Sequence, residues 1–210
     1  MPITISICGY ALAAAIIFTY VGQSGEFAVA GYGAGTRIEQ VVLLPILGIN
    51  TAIISIISQN YGAKNFSRIK ETYFTAIKYA FVIMVASGII VFISANIITS
   101  VFSNDPEVIE YGKRYLKISA FALPAYPVFF LSNGFFMALK KSENAMISNL
   151  FRNVLNPIIV FQIAKYISAS FETFFWIWVG INWFFSISYF FIIIYYFKLK
   201  LNKSSAVVHP

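Results

Sequence analysis

Long apolar stretches divide the chain into six candidate membrane helices, separated by short polar segments. Each stretch is about as long as the roughly 20 residues that a helix needs to cross the hydrocarbon core of a bilayer. The stretches are too long for strands of a closed barrel and lack their alternating pattern. The predicted spans cover residues 3–21, 28–59, 72–101, 118–139, 145–166 and 171–197. The pattern therefore predicts an all-α integral membrane protein, built as a bundle of six transmembrane helices.

The polar segments indicate one compact bundle without a second domain, because none is long enough to form a linker. Asp105 directly precedes Pro106 and suits the N-cap position of a helix. We interpret the following residues, EVIEYGKRYLK, as a short helix at the membrane interface that leads into the fourth span. The predicted organisation is a six-helix transmembrane lobe over residues 1–203 and a cytoplasmic tail over residues 204–210.

Basic residues are unequally distributed between the two sides of the predicted bundle. One side combines the loops after the second and fourth spans with the tail after the sixth. It holds eight basic residues: Lys64, Arg68, Lys70, Lys140, Lys141, Lys198, Lys200 and Lys203. The other side has fewer basic residues and carries Asp105, Glu107 and Glu110. Because short cytoplasmic loops are enriched in Lys and Arg, we predict a multi-pass plasma-membrane protein with both termini in the cytoplasm.

Composition excludes several other classes of protein. Of the 210 residues, 59% are hydrophobic and 11% are charged, whereas a soluble domain carries about 25% charged residues. The net charge of +7 is spread over short loops, so we predict no nucleic-acid partner. The chain has one cysteine, Cys8, and one histidine, His209. Together with carboxylates that lie mostly in loops, this predicts no catalytic residues, no metal site and no enzyme activity.

The second span carries polar side chains at membrane depth, where charges are costly. Arg37 and Glu39 point about 200° apart on a helix and therefore cannot pair with each other. Glu39 lies 20 residues before Gln59, which is roughly 30 Å along a helix and near the outer end of the span. Two interpretations stay open: the charges reach the outer interface, or Glu39 and Gln40 line a cavity.

The fifth span carries a polar stripe. Asn149, Arg152, Asn153 and Asn156 follow i, i+3, i+4, i+7 spacing, which places them on one face of an α-helix. Pro157 follows the stripe and favours a kink. The stripe is consistent either with a hydrogen-bonded seam between helices or with the wall of a pathway. The candidate residues for a substrate or ion pathway are Glu39, Gln40, Asn149, Arg152, Asn153 and Asn156.

Two long stretches resemble a known family of transporters. The stretch AVAGYGAGTRIEQVVLLPILGINTAIISIISQNYGAKNFSR resembles the junction and second helix of the C-terminal lobe of the multidrug and toxic compound extrusion (MATE) family. Its matching elements include Arg37–Ile38, Leu44–Pro45, Gly48–Ile49 and the loop beginning at Gln59. The later stretch FALPAYPVFFLSNGFFMALKKSENAMISNLFRNVLNPIIV is also similar to that lobe.

The resemblance implies one lobe of a larger transporter. The family fold has twelve helices in two six-helix lobes around a V-shaped cavity, and this chain would supply helices seven to twelve. The implied activity is efflux of drugs or metabolites by antiport coupled to H⁺ or Na⁺, without a cofactor. The implied partners are a small organic substrate, such as an organic cation, the lipid bilayer, and either an N-terminal lobe or a second copy of the chain.

The chain also departs from the family pattern. Many members carry carboxylates in helices seven and ten for cation coupling, but the first and fourth predicted spans contain none. Two alternatives therefore stay open beside the half-transporter: a flippase for lipid-linked saccharides and an inactive truncated fragment. Since one lobe does not enclose a two-lobe cavity, we expect no transport by this polypeptide alone unless it dimerises.

Overall fold

The structure, a computed structural model, describes residues 2–198 and only the backbone of residues 2–8 and 10. Lys200, Lys203, His209 and the predicted tail over residues 204–210 lie outside the described residues. Nearly all of the described chain is helical, and this part contains no strand. The predicted all-α class is therefore confirmed.

Eight α-helices follow one another within the described range. They are α1 Pro2–Gly22, α2 Glu26–Gly62, α3 Phe66–Ser100, α4 Pro106–Ser119, α5 Tyr126–Ala138, α6 Ser142–Leu150, α7 Asn156–Tyr166 and α8 Phe171–Tyr196. A 3₁₀ turn at Leu123–Ala125 joins α4 to α5, and a π turn at Phe151–Leu155 joins α6 to α7. With these two pairs each counted as one interrupted span, the helices form the six-span bundle that the apolar pattern predicts.

Four of these helical stretches are long and apolar enough to cross a membrane by themselves. They are Glu26–Gly62, Phe66–Ser100, Pro106–Ala138 and Phe171–Tyr196.

The helix ends follow the capping signals of the sequence. The Asn65 side chain accepts a hydrogen bond from the Arg68 backbone N–H at 3.1 Å, and Asp105 accepts one from the Glu107 backbone N–H at 2.9 Å. The predicted N-cap role of Asp105 is thus confirmed.

The fourth span begins earlier than predicted. Residues that we interpreted as an interfacial helix belong to α4, which packs against α2 and α3 and buries Val108 and Leu116. The predicted start of this span at residue 118 was therefore wrong. Because α4 carries several charged residues, the sequence alone does not indicate that one face of this helix is buried. Glu110 lies within 2.8 Å of Lys113 Nζ and 3.0 Å of Arg114 Nε, so these charges pair on the outer face of the helix.

Glycines allow α2 and α4 to approach each other closely. A Cβ atom built on Gly31 would lie 2.7 Å from the Gly112 nitrogen and 2.7 Å from the Val108 oxygen. The two backbones are therefore in direct contact at this crossing. Gly35, one turn further along α2, lies against the ring of Tyr115. The small-residue pair in α2 thus fixes the position of α4 and of the tyrosine that it carries.

Candidate functional site

Glu39 lies inside the bundle, where two tyrosines hold its carboxylate. The Tyr126 hydroxyl donates a hydrogen bond to Glu39 Oε1 at 2.6 Å, and the Tyr115 hydroxyl donates one to Oε2. Arg37 is exposed on another face of α2, and no ion pair joins it to Glu39 within the described chain. Of the two interpretations that the sequence leaves open, this geometry favours the cavity for Glu39.

The two tyrosines reach Glu39 from the two halves of the fourth span. Tyr115 belongs to α4, and Tyr126 is the first residue of α5, beyond the 3₁₀ turn that contains Pro124. The ring of Tyr115 packs edge-on against Tyr32 and Phe175, with ring centroids 4.9 Å and 4.8 Å away. These aromatic contacts from α2 and α8 hold the hydroxyl in its orientation toward the carboxylate.

A cavity of about 280 Å³ opens beside Glu39 between α1, α2, the fourth span, α6 and α8. We call it the polar chamber. Its polar lining residues include Tyr32, Thr36, Glu39, Gln40, Tyr115, Tyr126, Asn149, Arg152 and Asn153. Five of the six candidate residues thus share one space, although they come from spans that are more than 100 residues apart in the chain.

Arg152 forms the wall of the chamber opposite α2, against one face of α5. Its guanidinium carbon lies 4.7 Å from the ring centroid of Tyr126, 4.3 Å from that of Phe129 and 5.2 Å from that of Phe130. Rings at positions i, i+3 and i+4 share one face of a helix, so α5 provides an aromatic bed for the cation. Such cation–π contacts stabilise a partly buried guanidinium.

Asn156 is separated from the other members of the polar stripe. Its backbone N–H donates to the Phe151 carbonyl, five residues earlier, as expected in a π turn. Pro157 has no N–H to donate to the carbonyl four residues before it, which disfavours a regular α-helix here. The wide turn breaks the α-helical spacing. Asn156 is fully buried, does not line the chamber, and its side-chain N and O have no hydrogen-bond partner among the described residues.

The chamber continues into a hydrogen-bonded seam between helices. Asn133 of α5 donates to Asn149 of α6 at 3.3 Å, and Tyr189 of α8 donates to Asn133 at 3.3 Å. Asn149 therefore bonds across helices, as expected for a seam, and it also lines the chamber with Arg152 and Asn153. Whether the chamber is part of a pathway stays a prediction.

Sequence reasoning missed the partners of Glu39. Tyr115 and Tyr126 look like two of 13 tyrosines in an aromatic-rich chain. Their spacing of 11 residues is close to three full α-helical turns, which is a weak signal that both lie on one face. Nothing in that spacing identifies Glu39, which lies more than 70 residues earlier.

Curated relatives of known name match most of this chain. It is 28% identical over 158 residues to the FAD transporter of Shewanella oneidensis, covering 75% of this chain and 35% of that protein. It is 25% identical over 164 residues to the probable multidrug resistance protein YpnP of Bacillus subtilis, covering 78% of this chain and 34% of that protein. The chain therefore spans about a third of the length of these relatives.

Solved structures share the fold. The crystal structure of MATE in complex with MaL6 superimposes with a TM-score of 0.87 at 20% identity, over 98% of this chain and 46% of that one. The MatE family profile matches residues 2–161, which is more than half of the chain. This multi-pass membrane chain belongs to the MATE family, a family of transporters rather than of enzymes.

Proposed function

We propose that the chain is the C-terminal lobe, helices seven to twelve, of a transporter that exports small organic compounds by cation-coupled antiport. The observation that carries this proposal is the polar chamber, with Glu39 held by Tyr115 and Tyr126 at membrane depth. Ionisable groups inside transmembrane bundles mark substrate and ion pathways. The relatives named as transporters of FAD and of drugs support the same activity.

Glu39 is the residue that we assign to coupling. A cationic substrate and a coupling cation would compete for the one carboxylate, so that binding of either cation releases the other. The hydroxyls of Tyr115 and Tyr126 hold the carboxyl group of Glu39 in one orientation beside the chamber, where either cation can reach it. We assign a proton as the coupling ion, because a carboxylate binds a proton without further ligands, whereas Na⁺ would also need several other oxygen atoms of the chamber within ligand distance.

Arg152, Asn149, Asn153 and Gln40 are assigned to the substrate side of the chamber. Arg152 is the basic residue among those that line it. A flippase for a strongly anionic lipid-linked saccharide would be expected to present more than one cation to its cargo. This composition supports a small organic substrate over the saccharide. Asn156 is left out of the proposed pathway because it lies beyond the chamber wall.

The lobe is proposed to act with a second lobe, either an N-terminal one or a second copy of this chain. One face of α2 exposes large apolar side chains, among them Val41, Leu44 and Leu47. Such exposure is expected for a face that meets lipid or another lobe. The lobe is further proposed to lie in the plasma membrane with both termini in the cytoplasm.

The test of coupling is ethidium binding by the purified chain in weakly buffered detergent solution, with a pH-sensitive dye in the same sample. Over a range of starting pH, binding should release protons from the unaltered chain but not from Glu39→Gln. Glu26→Gln, which removes an exposed carboxylate at the start of the same helix, is the matched control and should behave like the unaltered chain.

A sodium titration completes the test. If Na⁺ displaces ethidium from the unaltered chain at constant pH and no protons are released, the coupling ion is sodium rather than a proton. Ethidium binding and proton release that are unchanged in Glu39→Gln would remove this residue from any coupling role and overturn the proposal.

A further inference from the structure

A second and larger cavity lies on the other side of Arg152. It has a volume of about 480 Å³ and runs between α5, α6 with its π turn, and α8. We call it the apolar groove. Aromatic and aliphatic side chains dominate its lining, including Phe136, Ile147, Phe184 and Ile192. Large cavities lined mainly by apolar side chains, with few polar groups, are typical of sites for small organic ligands.

The groove and the polar chamber share a wall. Phe129 and Arg152 line both spaces, and the guanidinium carbon of Arg152 lies 4.3 Å from the Phe129 ring centroid. Glu39 faces the chamber and does not line the groove. The groove therefore borders the side chain of Arg152 but not the carboxylate of Glu39.

The groove has a cation at each end. Arg152 lies ten residues after the start of α6 at Ser142, which is about 15 Å along the helix and about half of the hydrocarbon core. At the opposite end, Lys141 Nζ lies 4.8 Å above the ring of Tyr196, which lines the groove. Between them the walls are mainly rings and aliphatic chains, with Asn144, Ser148 and Ser188 as small polar members.

We propose that the apolar groove binds an amphipathic monoanion, with its apolar body along α6 and α8 and its acidic group on Arg152. An apolar body gains from leaving water or lipid headgroups for a preformed apolar space. An acidic group that reaches a guanidinium within a protein forms a charge-assisted hydrogen bond, stronger than a neutral one. The occupant is therefore a fatty-acid-like or aromatic acid, distinct from the cation proposed for the chamber.

The test is binding of 11-(dansylamino)undecanoic acid to the 210-residue chain in lipid nanodiscs. Energy transfer from tryptophan reports dye that lies close to the protein, and Trp183 directly precedes the groove residue Phe184. The methyl ester of the dye is the neutral comparison. The unaltered chain should bind the acid about tenfold more tightly than the ester, as expected for one charge-assisted hydrogen bond.

Two substitutions test the charge of Arg152 and the volume of the apolar groove independently. Arg152→Gln should remove the preference for the acid while ester binding persists. Ser188→Phe fills the groove without touching the chamber and should weaken both dyes by about tenfold or more, as for the loss of a buried apolar contact. Ile187→Phe, at a half-exposed neighbouring position outside the groove lining, is the matched control and should change neither affinity.

Competition identifies the class of acid. Displacement of the dye by decanoic acid supports a fatty acid, and displacement by naphthalene sulfonate supports an aromatic acid. Equal binding of acid and ester by the unaltered chain, displacement by neither competitor, or a loss of preference caused by Lys141→Gln and not by Arg152→Gln would each overturn the proposal. Because these are binding measurements on the chain alone, they stand or fall independently of transport.

Discussion

Glu39 has an acceptor oxygen for each of its two tyrosine donors, and those donors lie on either side of a helix break. The break lets the fourth span present one hydroxyl from α4 and another from α5 to the same carboxylate. Glu39 is half-buried beside the chamber, and each hydroxyl provides a hydrogen-bond partner for one of its two oxygens there.

Removing one donor should destabilise the bundle. In Tyr126→Phe, the carboxylate of Glu39 loses one of its hydrogen bonds, at a cost of about 1–3 kcal/mol. The melting temperature in detergent should fall, as measured by circular dichroism. Tyr79→Phe, at a 63% exposed tyrosine of α3, is the control and should melt like the unaltered chain. An unchanged melting temperature in Tyr126→Phe would mean that the bond to Glu39 contributes no stability.

The residue scale is also where sequence reasoning is weakest. It selected Glu39, Gln40, Asn149, Arg152 and Asn153, which the fold gathers around one chamber. Polar side chains in apolar stretches are easy to find because membrane burial makes them rare. Their aromatic partners were not found, since a tyrosine at a given position is as consistent with packing or with an interface belt as with a hydrogen bond to a carboxylate.

At the scale of helices, the crossing of α2 and α4 depends on backbone contact. Gly31 faces the Gly112 nitrogen and the Val108 oxygen, neither of which can move aside like a flexible side chain. Gly31 and Gly35 have the spacing of small residues that is typical of closely packed membrane helices, and the structure identifies α4 as the partner helix.

A single methyl group at this crossing should separate the helices. Gly31→Ala is expected to cost about 1–3 kcal/mol through overpacking and to lower the melting temperature. Gly33→Ala is a matched control two residues away on the same helix, because a Cβ atom there meets nothing within 4 Å. It should be neutral or slightly stabilising, since alanine favours a helix over glycine. If both variants melt alike, the crossing tolerates the extra methyl group and the close approach is not required.

Two features of the helices could not be predicted from the hydrophobic pattern. Charged side chains at Glu110, Lys113 and Arg114 made the outer half of the fourth span look interfacial, although they pair on one face while the other face is buried. The π turn at Phe151–Leu155 was missed because the spacing argument assumes α-helical geometry. Pro157 indicated that the helix is irregular there, but it did not indicate that Asn156 would point away from the other polar residues of the stripe.

At the scale of the whole molecule, the apolar pattern predicted the six-span bundle, because the length and hydropathy of a segment are the main signals that it crosses a bilayer. The orientation in the membrane remains a prediction, based on the unequal distribution of lysine and arginine. The ion pair between Arg114 of α4 and Glu172 of α8, at 2.8 Å, closes the predicted outer end. Both side chains are partly exposed there, so we expect this pair to contribute little stability.

Cysteine labelling in intact cells tests the orientation. In a Cys8→Ser background, Lys64→Cys and Lys141→Cys should react with a membrane-impermeant maleimide only after the cells are opened. Asn104→Cys, in the loop before α4, should react in intact cells and serves as the opposite control. The reverse pattern would mean that the chain lies in the membrane in the opposite orientation.

The wall shared by the polar chamber and the apolar groove makes the two spaces genetically inseparable at Phe129 and Arg152. A substitution at either position is pleiotropic, because it reshapes two surfaces in a single mutational step. Gln40 and Ser188 each border only one of the spaces and allow one to change while the other is preserved. Under selection for a new cargo, substitutions at positions such as Gln40 and Ser188 would therefore change one space at a time. Substitutions at Phe129 or Arg152 would change both spaces at once.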